Sequence, residues 1–111
     1  MDVTISGRHM EMTDTMEDHI REHVEKLPRL DDQIQSVTVT LDDNAAGDEV
    51  EVIAKCHRQV LVTKSSSHDL YASIDEAFSR MERRIRKLHD KLVERRSREA
   101  QKAARRQKQP G

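Results

Sequence analysis

Arg80, Arg84, Lys87 and Lys91 recur at the three- and four-residue spacing of a helix. At about 100° per residue they fall within roughly 60° of one another, with Arg83 on the flank. They form a row of cations about 16 Å long, centred about 110° around the helix from its apolar side. The chemistry open to such a row is electrostatic: contact with successive phosphates of a nucleic-acid backbone, which positions a protein without reading sequence. Acids interrupt only its margins, at Glu82, Asp90 and Glu94. A solvated helix face laced by i,i+4 ion pairs is the competing explanation. The charge layout of the whole chain weighs against it. Residues 1–79 carry 7 Lys/Arg against 17 Asp/Glu, a balance of −10, whereas residues 80–111 carry 13 against 4, a balance of +9. The net charge of −1 conceals that split, and a concentrated positive field at one end faces a polyanion.

Tyr71 and Phe78 are the aromatic residues of the chain, and both lie near the apolar stripe of the same helix. A sheet without aromatics cannot stack bases as single-strand readers do. Recognition is therefore expected to be electrostatic and shape-based, as on structured RNA.

Other residues of chemical interest carry less. HIREH (19–23) matches the H-x-x-E-H pattern of zinc hydrolases, yet catalysis there would need a third ligand and a cleft in a larger fold. His19 and His23 flank an apolar stripe and read as surface helix residues, and His23 would add charge below neutral pH. Cys56 shares the parity of Val52 and Ala54, which marks a buried structural thiol. One cysteine cannot form an internal disulfide, so the fold must stand on burial. Asp31–Asp32 and Asp42–Asp43 fall in turns with nothing to raise a pKa. The three glycines are far apart and form no phosphate loop. Neither a catalytic site, a metal site nor a cofactor is expected, and no small-molecule substrate.

The elements that must position the cationic row follow from periodicity. Val3 and Ile5 alternate with polar residues in a strand ending at Gly7. Thr13 is placed to cap a helix whose apolar stripe is Met16, Ile20, Val24 and Leu27, stopped by Pro28. Val37, Val39 and Leu41 define a second strand, and residues 42–48 (DDNAAGD) read as a loop. Val50, Val52, Ala54 and Cys56 define a third, and Val60 and Val62 begin a fourth that fades into residues 65–69 (SSSHD). From Leu70 a long helix carries Leu70, Ile74, Ala77, Met81, Leu88 and Leu92 on one side, with Phe78 and Ile85 beside them.

The order predicts an α+β fold: a single β-α-β-β-β-α domain over 1–93, with a four-stranded mixed sheet and two helices packed on one face. The helical crossover makes the first two strands parallel, and short turns make the rest an antiparallel meander. Residues 94–111 lack large apolar side chains and read as frayed helix passing into a disordered basic tail. No run is apolar enough for a membrane span or signal peptide, so a cytoplasmic protein is expected.

Two segments carry a family likeness. VTISGRHMEMTDTMEDHIREHVEKL (3–27) and HDLYASIDEAFSRMERRIRKLHDKL (68–92) resemble the ribosome hibernation-promoting factor and ribosome-associated inhibitor family, in its short form. The likeness spans about residues 2–92, and DLYASID followed by spaced basic residues is its more specific part. The resemblance implies a β-α-β-β-β-α domain seated in the decoding region of the small ribosomal subunit. There it would overlap the paths of mRNA and of A- and P-site tRNA, silencing idle ribosomes in stationary phase or stress. It implies rRNA contact through Arg80, Arg83, Arg84, Lys87 and Lys91, with Lys26, Arg29 and Arg8 as further contacts. The family's late first-helix lysine cluster reads here Glu22, His23 and Lys26. Long members add a dimerisation domain for which this chain is too short, and some short members work with a small ribosome-dimerising factor. Off the ribosome a monomer is expected. The reading from another class is a stand-alone structured-RNA-binding protein or RNA chaperone, and behind it a charged protein–protein module.

Overall fold

The computed structural model of the chain describes residues 1–108. Its elements are β1 (Asp2–Arg8), α1 (Asp14–Lys26), a 3-10 turn (Leu27–Arg29), β2 (Ile34–Asn44), β3 (Gly47–Cys56), β4 (Gln59–Ser67) and α2 (Leu70–Lys108). The sheet order is β1-β2-β3-β4, with β1 parallel to β2 and the other neighbours antiparallel. The expected mixed sheet is therefore present, with α1 and α2 on one face.

Alternation decides which face is buried. Val37, Val39 and Leu41 of β2 and Val50, Val52, Ala54 and Cys56 of β3 are fully buried against the helices. Ile20, Val24 and Leu27 meet them from the first helix, and Ile74, Phe78, Met81 and Ile85 from the second. Side chains of the opposite parity face water, among them Val60 and Val62. Thr13 caps α1 as its type suggests, its Oγ1 accepting from the Met16 amide at 3.2 Å. Helix α1 gives way at Leu27 to the 3-10 turn that contains Pro28.

Three expectations change. Residues 42–48 are mostly strand rather than loop: β2 runs to Asn44 and β3 starts at Gly47, leaving Ala45 and Ala46 as a two-residue turn. Asn44 Oδ1 accepts from the Ala46 amide at 2.9 Å, and Gly47 adopts φ 126° where a Cβ would lie 2.9 Å from the Ser67 carbonyl. Polar composition misled here because both strands reach past the core. The strand after His57 and Arg58 does not fade either, but runs through Ser67. Its inward hydroxyls have partners on α2: Thr63 Oγ1 donates to the Ala77 carbonyl at 2.9 Å and Ser65 Oγ to Glu76 at 2.8 Å.

The third change concerns the tail. Past Val93 the chain continues α2 as helix to Lys108, with every residue from Glu94 to Ala104 exposed. The segment is rich in Ala, Arg, Glu, Lys and Gln, all strong helix formers, and Arg98 pairs with Glu94 one turn back. Local propensity thus carries the helix where packing has ended, and the molecule measures 68 × 24 × 17 Å. The last expected tail residues, 109–111, lie outside the described residues.

Candidate nucleic-acid interface

Helix α2 lies beside β4, an edge strand with no strand beyond it. The hydroxyl contacts of Thr63 and Ser65 fix its rotation, so Arg80 and Arg84 emerge over that edge. Arg80 donates to the Lys64 carbonyl at 2.6 Å and pairs with Glu76, while Arg84 donates to the Val62 carbonyl. Each guanidinium has five N–H donors, so these bonds hold it in place and leave donors for an incoming anion. Holding the fork beforehand lowers the entropy cost of binding. Arg83 reaches back to the Ser79 carbonyl at 3.4 Å. Arg84, Lys87 and Lys91 then line a shallow groove with Gln59, Leu61 and Leu88.

The structure thus brings together Arg80, Arg83, Arg84, Lys87 and Lys91, all exposed along one side of α2. It adds Arg95, Arg98 and Lys102, also exposed, which fall within about 60° of Arg80 around the axis. At 1.5 Å per residue the row from Arg80 to Lys102 is about 33 Å long, twice the length expected. The signal was the unbroken three- and four-residue spacing. Ending the helix with its apolar stripe hid it.

Arg8, Lys26 and Arg29 lie elsewhere. Arg8 pairs in register with Asp42 on the open face of the sheet, in a hollow lined also by Glu49, Glu51 and Lys64. Lys64 is itself bound to Glu51 at 3.3 Å. That acidic setting opposes phosphate contact. Lys26 and Arg29 are exposed at the end of α1. Helix α1 meets α2 at Asp75, which is about 140–180° around the axis from Arg80 and Arg84, so α1 flanks the far side of the cationic row.

The histidines of α1 are interface residues rather than surface ones. His19 and His23 both bond Asp75 at 2.7 Å, and the His23 ring stacks on Phe78 at 4.9 Å. His23 therefore sits away from the cationic row and cannot extend it. Burial acts to raise the Asp75 carboxyl, but the bonds from His23 and His19 outweigh it and hold the group below the usual range.

Asp31 is likewise not the inert turn residue expected. Its side chain is 1% exposed and ties three segments: the Gln33 amide at 2.7 Å, His57 at 2.6 Å and His89 of α2 at 3.0 Å. Burial would raise this carboxyl, yet the Gln33 amide and the two imidazoles lower it overall. The bond helps hold His57, which with Arg58 adopts a positive φ in the two-residue β3–β4 turn. Cys56 is fully buried, and burial with the nearby Asp31 charge pushes its thiol up to about 11. That is a packed thiol, as its parity indicates.

An α+β domain with a cationic helix laid along its sheet edge is the class of protein these features define. Residues 3–93 match the family described as sigma 54 modulation protein / S30EA ribosomal protein, and the chain belongs to it. It is 30% identical over 95 residues to the ribosome hibernation promoting factor of Azotobacter vinelandii, covering 86% of this chain and 89% of that one. It is 31% identical to the ribosome hibernation promotion factor of Deinococcus radiodurans, with 83% of this chain matching 51% of the longer relative. The Thermus thermophilus Protein Y N-terminal domain superposes with a TM-score of 0.72 at 26% identity, over 79% of this chain and 99% of that domain.

Proposed function

We propose that the protein binds the small ribosomal subunit in the decoding region and silences translation by occupying the paths of mRNA and of A- and P-site tRNA. The contact is made to rRNA phosphates by Arg80, Arg83, Arg84, Lys87 and Lys91, and the exposed Arg95, Arg98 and Lys102 continue it along α2. The observation that carries this reading is that row: about 33 Å of cations on one rigid element, two of its arginines already held in place. The names of the family and its relatives support the ribosome as the partner. Silencing belongs to stationary phase or stress, in the cytoplasm, by a chain that is monomeric until it docks. Among the described residues no helix is long and apolar enough to cross a membrane. Occupation alone produces the effect, so no catalytic step enters. Arg8, Lys26 and Arg29 contribute less than the α2 row, given where they lie.

The test is sedimentation of the purified protein with ribosomes through sucrose gradients over a salt series. Co-migration with the small subunit or intact ribosome, lost as salt rises, is the expected result. A heavier ribosome-dimer peak that forms only when a small dimerising factor is added would reveal action together with that factor. Protein that stays at the top of the gradient at low salt would refute ribosome docking and favour free structured RNA as the target.

A further inference from the structure

The HIREH segment places two imidazoles one turn apart, and the fold supplies a third donor that spacing alone did not. His19 Nε2 and His23 Nε2 each lie 2.7 Å from Asp75 Oδ1, and the three donor atoms fall within 4.8 Å of one another. The two imidazoles are 29% and 18% exposed, whereas the Asp75 side chain is 55% exposed. His19 meets the edge of Tyr71 at 5.2 Å and His23 stacks on Phe78, so both rings are oriented by packing. We propose that His19, His23 and Asp75 form a site for a divalent transition-metal ion of the zinc type, bridging α1 and α2, with water completing the coordination.

Two imidazoles and a carboxylate are a donor set that suits this class of ion. Bonds of about 2.0–2.2 Å at tetrahedral angles hold donors about 3.3 Å apart, so the Asp75 oxygen must retreat by about 0.6 Å. A half-exposed carboxylate at a helix surface can do so by rotating its side chain. Each imidazole now uses Nε2 toward Asp75; on loading, that nitrogen offers its lone pair and the ring proton resides on Nδ1. For His23, Nδ1 is buried with no hydrogen-bond partner, so the loaded tautomer places an unpaired N–H there. That penalty keeps affinity below that of closed structural zinc sites and makes the site responsive to free metal. A bound ion would clamp α1 to α2 on the side of α2 that faces away from the cationic row.

The experiment uses the untagged full chain, stripped with chelator and titrated with Co2+ and then Zn2+ near neutral pH. The expected result is one Co2+ per chain with visible ligand-field bands of a nitrogen–oxygen set, displaced by Zn2+, and a thermal midpoint that rises with Zn2+. His19→Gln and Asp75→Asn, separately, should each weaken binding by roughly tenfold or more while the circular dichroism spectrum stays unchanged. No ligand-field band and no thermal shift at millimolar metal would overturn the proposal, as would binding unaltered in both variants. A sulfur-to-cobalt charge-transfer band would also overturn it, because it would move the ion to Asp31, Cys56 and His57, the other group with converging donors among the described residues.

Discussion

Replacing Arg84 and Lys87 together by glutamate reverses two charges at adjacent turns in the packed part of the α2 row, about 4.5 Å apart along the axis. If both side chains meet phosphates, two contacts are lost and two repulsions gained. A phosphate contact accounts for a slope of roughly 0.7–0.9 in log affinity against log salt. The double variant should therefore flatten that plot by roughly 1.4–1.8 units. At moderate salt its affinity for ribosomes should fall by at least roughly tenfold, about 1.4 kcal/mol. The structure also separates binding from folding. Arg84 donates to the Val62 carbonyl, so Arg84→Glu alone should cost about 0.5–1.5 kcal/mol of stability. Lys87 is exposed in the groove, so Lys87→Glu alone should leave the thermal midpoint unchanged while still weakening binding. Gradients over a salt series, with thermal melts of each single variant, read both effects. A double variant with wild-type affinity and an unaltered salt slope would show that the row is an ordinary solvated face.

Ending the chain at Val93 removes Arg95, Arg98 and Lys102 and, from Glu94 to Ala104, only exposed residues, so it should weaken ribosome binding and leave the thermal midpoint in place; equal affinity by the same gradients would refute a role for the helical extension. Asp31→Asn should cost about 1–3 kcal/mol by leaving His57 and His89 without their carboxylate, measured by denaturant unfolding. The Asp31 carboxyl titrates lower in the folded state than in the unfolded one. Its contribution is thus present above about pH 4 and lost as pH falls below that, and the variant should show a shallower acid limb; an unchanged limb would contradict this. Cys56 should resist thiol reagents at neutral pH until the protein unfolds, so rapid labelling of the native chain would disprove its burial.

Much of the fold is legible because its elements carry one clear period each. Val37, Val39 and Leu41 alternate, Ile20, Val24 and Leu27 recur helically, and Thr13 and Pro28 mark the limits of α1. What escaped has two physical origins. Where an element runs beyond the core, as at Asp42–Asn44 or after Val93, hydrophobic pattern is silent and backbone pairing or helix propensity decides. Where polar residues far apart in sequence converge, spacing carries no information. Asp31 meets His89 across 58 positions and His19 meets Asp75 across 56, so neither group could be read before folding. The five-residue basic row was readable because it lies on a single helix. Its extension needed the knowledge that the helix does not stop.

The bonds from Arg80 and Arg84 to β4 have a consequence for how the protein behaves when alone. An open strand edge is a template on which another chain can add its own strand, and β4 presents Val60 and Val62 to water beside that edge. Two guanidinium groups occupy the Lys64 and Val62 carbonyls and place positive charge along the strand. A second copy approaching edge to edge meets like charge and acceptors already taken. The side chains proposed to grip an anion thus also make the β4 edge a poor template for a second copy, and their loss would leave that edge open.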